Sequence, residues 1–217
     1  MKLTRLAAFC TLAVASALAA GCASVSLESQ KTRVETTWKD PRYAGGPMRK
    51  MFVVSLIKIE PGGRNAVEDA IAARLESAGV TAVTSHTVMS DDPDKPGPSL
   101  AEAIKASGAD GVLLVQVKSV GSKEPYTVGE TVTSLSPDTL AYYNTLKREG
   151  WNQAGDYKVA HIVSELFLSS MGRQVWTAFT NSYDASNLAR NIPDYTLKLV
   201  AAMAKDRMIP APPKPAS

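Results

Sequence analysis

Cysteine is almost missing from these 217 residues, with only Cys10 and Cys22 present. Cys10 lies in an apolar leader and would leave with it. Cys22 then stands alone, which excludes an intramolecular disulfide in the mature chain. Histidine is as scarce: His86 and His161 are the whole supply of imidazole. Aromatic residues make up 6% of the chain. No stretch after the leader approaches the roughly 20 apolar residues that a membrane-crossing helix needs. A strong charge of one sign is also missing. Without Lys2 and Arg5 of the leader, 22 basic side chains face 21 acidic ones, a net of +1. That balance leaves no footprint for nucleic acid. What remains, 45% hydrophobic and 21% charged, suits one folded domain with a sizeable core.

The patterns that carry common chemistries are also absent. Ser85 and His86, with Asp91 and Asp92 downstream, have no G-x-S-x-G turn to present a nucleophile. Asp92-Pro93-Asp94 with Gly97 resembles the start of a calcium loop. Pro96 and Ala103, however, stand where the fifth and twelfth positions require oxygen ligands. Gly62-Gly63 sits between a strand pattern and a helix pattern, yet neither G-x-G-x-x-G nor a Walker lysine is present. The simpler readings are polar strand ends, a solvated acidic loop and a turn. No catalytic residue, cofactor or metal site is expected.

The first 22 residues carry the clearest information. Lys2 and Arg5 precede an apolar run from Leu6 to Ala20, about 15 residues, too short to span a bilayer and followed by small residues. This is the layout of an export signal. Leu18-Ala19-Ala20-Gly21-Cys22 resembles a lipobox, in which the cysteine sulfur is acylated and the chain is cut before it. Ala19 departs from the usual leucine, which stands one residue early at Leu18. The plainer alternative, cleavage after Ala17-Leu18-Ala19, leaves Cys22 as an unexplained thiol. The resemblance implies a signal peptide at 1–21, a palmitate-bearing tether at 22–31 and stable anchoring through several acyl chains. Ala23 and Ser24 follow, with no aspartate to signal inner-membrane retention, so the expected address is the outer membrane, facing the periplasm.

The mature chain reads as a single α/β domain over 32–208. Thr32–Trp38 has the composition of a short edge strand before Asp40-Pro41. Met51–Ile59 is a near-continuous apolar run, as in a strand buried on both faces. Asn65 with Glu68 gives a capping pattern for a helix carrying Val67, Ile71, Leu75 and Ala78, closed by Gly79. A second strand is expected over Val80–Val88. Ser99 with Glu102 opens a second helix, which Gly108 ends. Val112–Val117 is another buried-strand run. This strand-helix-strand-helix-strand order implies a parallel crossover unit. Residues 121–158 form a long polar connection, and Val159–Ser169 with Gln174–Asp184 an antiparallel hairpin. A last helix, capped by Asn191, runs to about Arg207 with Ile192, Leu199, Val200 and Met203 inward. Residues 209–217 are a proline-rich tail.

This order resembles the small α/β domains of envelope lipoproteins akin to the amino-terminal domain of TolB and the curli-secretion lipoprotein. The runs TTWKDPRYAGGPMRKMFVVSL, ADGVLLVQV and QVWTAFT are similar to a group of bacterial outer-membrane lipoproteins of unassigned function. The resemblance implies a non-enzymatic envelope role and carries over no catalytic residues. The chain departs from that group by having no long Gly/Tyr-rich insertion between Ser122 and Lys158.

Large aromatics in polar surroundings mark the candidate contact surfaces. Trp38 and Tyr43, near Arg42, form either an exposed interface patch or cover over a sheet edge. Tyr142, Tyr143 and Trp151 in the long connection must either pack locally or meet a partner. The function expected is an interaction or assembly protein held to the bilayer by Cys22, whose partners are other envelope proteins or further copies of itself. The alternative is a binding module for a glycan or peptidoglycan fragment. That reading predicts a pocket lined by Trp or Tyr at the carboxyl ends of the parallel strands.

Overall fold

The computed structural model describes residues 32–57, 63–90, 95–120, 159–183 and 188–211. Six strands form one mixed sheet: β1 (Thr32–Lys39), β2 (Lys50–Ser55), β3 (Thr81–Thr84), β4 (Gly111–Val120), β5 (Val159–Leu168) and β6 (Gln174–Tyr183). Among the described residues four helices accompany them: α1 (Gly63–Ser77), α2 (Ser85–Val88), α3 (Leu100–Ser107) and, after β6, α4 (Leu188–Lys205). The spatial order is β1-β6-β5-β4-β2-β3. β2 is parallel to both β3 and β4, whereas the β4–β5, β5–β6 and β6–β1 pairs are antiparallel. The expected α/β class, with a βαβαβ unit followed by a hairpin and a final helix in one domain, is the architecture found.

Local sequence explains where each element stops. Ser99 accepts from the Glu102 N–H while the Glu102 carboxylate accepts from the Ser99 N–H, so α3 opens on a complete capping box. Gly108 closes it in the left-handed conformation (φ 61°). Gly79 (φ 78°) does the same after α1, where the Val80 N–H returns to the Leu75 carbonyl at 2.9 Å.

Both faces of the sheet are covered around β2, which is why Met51, Phe52, Val53 and Val54 have no accessible surface and their run does not alternate with polar residues. On one face, Val67, Ile71 and Leu75 of α1 and Tyr195, Leu199 and Met203 of α4 pack on Met51, Val53, Leu113, Ile162, Leu166 and Trp176. On the other, Leu100, Ala103 and Ile104 of α3 pack on Phe52, Val54, Leu114 and Phe167. The register places Ile162, Ser164 and Leu166 on the first face and Val163, Glu165 and Phe167 on the second.

Three expectations need adjustment. The second strand is only Thr81–Thr84, because the chain turns into α2 at Ser85. The first helix starts at Gly63, so Asn65 lies inside it and Glu68 is a buried residue of its second turn, not a cap. The last helix starts at Leu188, which puts Asn191 and Pro193 inside it. Asn191 is buried and donates to Ser182 Oγ at 3.1 Å, tying the helix to β6.

Candidate functional site

Among the described residues, two interior clusters bring together several polar side chains around a buried carboxylate. The first lies where β2 and β3 end. Glu68 projects from α1 beneath both strands and accepts from the Ser55 N–H at 2.9 Å, the Ser85 hydroxyl at 2.7 Å and the His86 N–H at 3.1 Å. Arg64, one turn earlier and equally buried, sets Nη1 at 3.9 Å from the same carboxylate. Burial pushes the Glu68 carboxyl above its ordinary range, against the opposing pull of Arg64 and the three donors. This cluster locks the strand ends to the helix, with two donors on Oε1 of Glu68 and one on Oε2. His86 lies at its rim, with Nε2 at 2.7 Å from Asp69.

The second gathering is on the α3 face, across β4, β5 and β6. Glu165 accepts from the Gln116 amide at 2.6 Å and the Gln174 amide at 3.0 Å, and Gln174 also donates to Thr177 at 2.7 Å. On the same face His161 Nδ1 meets Asn181 Oδ1 at 2.6 Å, and Asn181 donates to Glu35 at 3.0 Å. The two histidines therefore serve separate networks, each with a structural partner. Among the described residues no group of three metal-ligating side chains converges.

The outer strands, β1 and β3, also present backbone polar groups. β1 is eight residues long and carries a bulge between Val34 and Thr36. The Asp40 N–H donates to the Val175 carbonyl, and antiparallel alternation then turns the N–H and C=O of Thr37 and Lys39 away from β6. Lys39 Nζ donates to the Asp206 carbonyl at 3.0 Å and lies 5.8 Å from the centre of the Tyr43 ring. Trp38, opposite Thr177, is half-buried on the α3 face, while Tyr43 packs against the α1–α4 core, its hydroxyl donating to Gly46. Trp38 and Tyr43 thus do not share one face. Arg42 is drawn to the buried Asp40, donating from N–H (2.9 Å) and Nε (3.2 Å). Those bonds lower the Asp40 carboxyl below its usual range.

β3 closes the other side of the sheet. The Thr81 N–H donates to the Arg49 carbonyl at 2.8 Å, so alternation aims the N–H and C=O of Ala82 and the N–H of Thr84 outward. Along this edge runs a groove of about 430 Å³, lined by Asp69, Ala72, Ala73 and Glu76 of α1 and by Ala82, Val83, Thr84 and Thr87. Among the described residues no aromatic side chain lines it. Sequence reasoning missed it, although the spacing 69, 72, 73, 76 lays these residues along one strip of a helix. Cys22, Tyr142, Tyr143 and Trp151 lie outside the described residues. No described helix is long and apolar enough to cross a membrane.

No family model and no curated protein matches the chain. Among solved structures, two PelC dodecamers from Paraburkholderia phytofirmans are similar. One is 16% identical over 76% of this chain and 96% of that chain (TM-score 0.41), the other 17% identical over 82% and 98% (TM-score 0.42). Lipoprotein GNA1162 from Neisseria meningitidis is 16% identical over 72% and 96% (TM-score 0.35).

Proposed function

We propose that this chain is a lipid-anchored envelope protein that works by docking on other proteins or on further copies of itself, with acylated Cys22 as the tether to the outer membrane. The observation that carries the docking half is the open sheet. Each outer strand turns backbone donors and acceptors away from its one neighbour among the described strands, and such edges template the addition of another strand. The leader supports the anchoring half, because a lipobox-like end and one remaining cysteine fit acylation. The polar networks described above support a non-enzymatic reading, since each ties elements together and, among the described residues, the one group of theirs that lines the groove, Asp69, is paired with His86. The domain boundaries at 22, 32 and 208, and the contact roles of Trp38, Tyr43, Tyr142, Tyr143 and Trp151, belong to the same proposal. The PelC and GNA1162 likenesses are not part of its support.

The anchor is tested by Cys22→Ser in the full-length chain. Incorporation of labelled palmitate should be abolished, and the protein should move from the membrane pellet to the soluble fraction. Unchanged labelling and pelleting would sink the anchoring half. A crosslinker placed on a sheet edge tests docking in the intact envelope.

A further inference from the structure

The two open edges are not equally protected. β1 carries a bulge at Glu35, an Arg33–Glu35 ion pair at 3.7 Å and lysine contacts to its outer carbonyl region from Lys198 at Thr32. Bulges and charged side chains are how sheets prevent unwanted pairing. β3, with the sequence Thr-Ala-Val-Thr, has neither bulge, proline nor charge, and among the described residues its protection is brevity alone. Beside it the α1 wall is cut back to Ala72 and Ala73, which leaves the groove open where a bulky side chain would close it.

The groove is acidic. Asp69 and Glu76 both line it and are exposed, Asp69 with His86 Nε2 on one oxygen at 2.7 Å, and among the described residues no lysine or arginine lines it. They stand seven residues apart on α1, about 10 Å along the axis. Same-face side chains of an extended strand repeat at about 7 Å, within the reach of flexible lysine stems toward both carboxylates.

Resting on the docking reading above, we propose that the β3 edge binds an extended, basic peptide segment of a partner protein. Its backbone pairs with Ala82 and Thr84, and its lysine or arginine side chains on the groove face meet Asp69 and Glu76. Backbone pairing supplies affinity without sequence preference, and the two carboxylates supply selection for positive charge.

The test uses the full-length chain in detergent and two fluorescent eight-residue probes, Thr-Lys-Val-Lys-Thr-Lys-Val-Lys and the same peptide with glutamate in place of lysine. Anisotropy should report binding of the lysine peptide and at least about tenfold weaker binding of the glutamate peptide. Ala82→Pro removes an outward N–H that β2 does not use, so the sheet should tolerate it. The lysine peptide should nevertheless bind about tenfold more weakly to it. Asp69→Asn with Glu76→Gln should erase the difference between the two peptides while leaving strand pairing possible, which keeps the proposal testable if the proline variant fails to fold. Equal binding of both peptides, or binding unchanged in both variants, overturns the proposal. So does failure of the lysine peptide to bind. If light scattering then shows a self-assembled mass that Ala82→Pro reduces to a monomer, the occupant is a second copy, and the docking reading stands without this one.

Discussion

Glu68 occupies a position where the helix spacing of Arg64, Glu68, Ile71 and Leu75 calls for an apolar residue, and its burial is complete. A carboxylate survives there because three donors converge on it, yet desolvation still outweighs them and raises its proton affinity. The sign of the consequence is fixed. The folded state holds this proton to higher pH than the unfolded chain, whose reference is 4.5. The stability this group contributes is therefore full below 4.5 and falls as pH rises through the higher folded value. Glu68→Gln should flatten that part of the stability–pH curve. It should also cost about 1–3 kcal/mol near neutral pH, because the amide turns an N–H toward a donor. Chemical denaturation across pH 4 to 8 checks both, and a variant retaining the wild-type slope would place the titration elsewhere. Asp40 runs the other way. Its lowered carboxyl contributes stability above the reference value of 3.8, and that stability is lost as pH falls through the folded value. The carboxylate at 68 could have been suspected from its place on the apolar stripe, but its partners Ser55, the last residue of β2, and Ser85, the first of α2, stand at boundaries that no local signal marks.

At the scale of elements, the strands and helices with strong periodicity or complete caps were legible. The Met51–Val54 run, the Ser99–Glu102 box and the Gly79 and Gly108 stops all rest on local physics. The short ones were not. α2 begins at Ser85 within a run whose Val83, Thr84, Thr87 and Val88 favour strand, and the chain turns there because Glu68 takes both the Ser85 hydroxyl and the His86 N–H. Close approach of elements adds a constraint that composition hides. Gly111 starts β4 between Met51 and Leu168, and a methyl group there would run into Met48 Sδ, with Leu166 Cδ1 at 3.1 Å and the Phe167 carbonyl at 3.2 Å. Gly111→Ala should therefore lower stability by about 1–3 kcal/mol through overpacking. Gly46→Ala, where a methyl group meets nothing within 4 Å, should be near neutral. Thermal melts of the pair separate the two, and equal melting temperatures would contradict the packing described.

For the molecule as a whole, the crossover unit and hairpin were readable because buried parallel strands and alternating antiparallel ones carry different patterns. The sheet order was not, since nothing in a strand's own residues says that β2 lies between β3 and β4 or that β1 returns to pair with β6. That order is what leaves β1 and β3 outermost and makes the β3 groove. The central claim, that this is an envelope protein working through its sheet edges, is tested most directly by photocrosslinking in intact cells. A benzoylphenylalanine would replace Ala82 on β3, Thr37 on β1, or the exposed Ala201 of α4 as a control. The account predicts discrete adducts from an edge position, strongest from 82, and none from 201. Adducts from no edge position, or equally from all three, would contradict it.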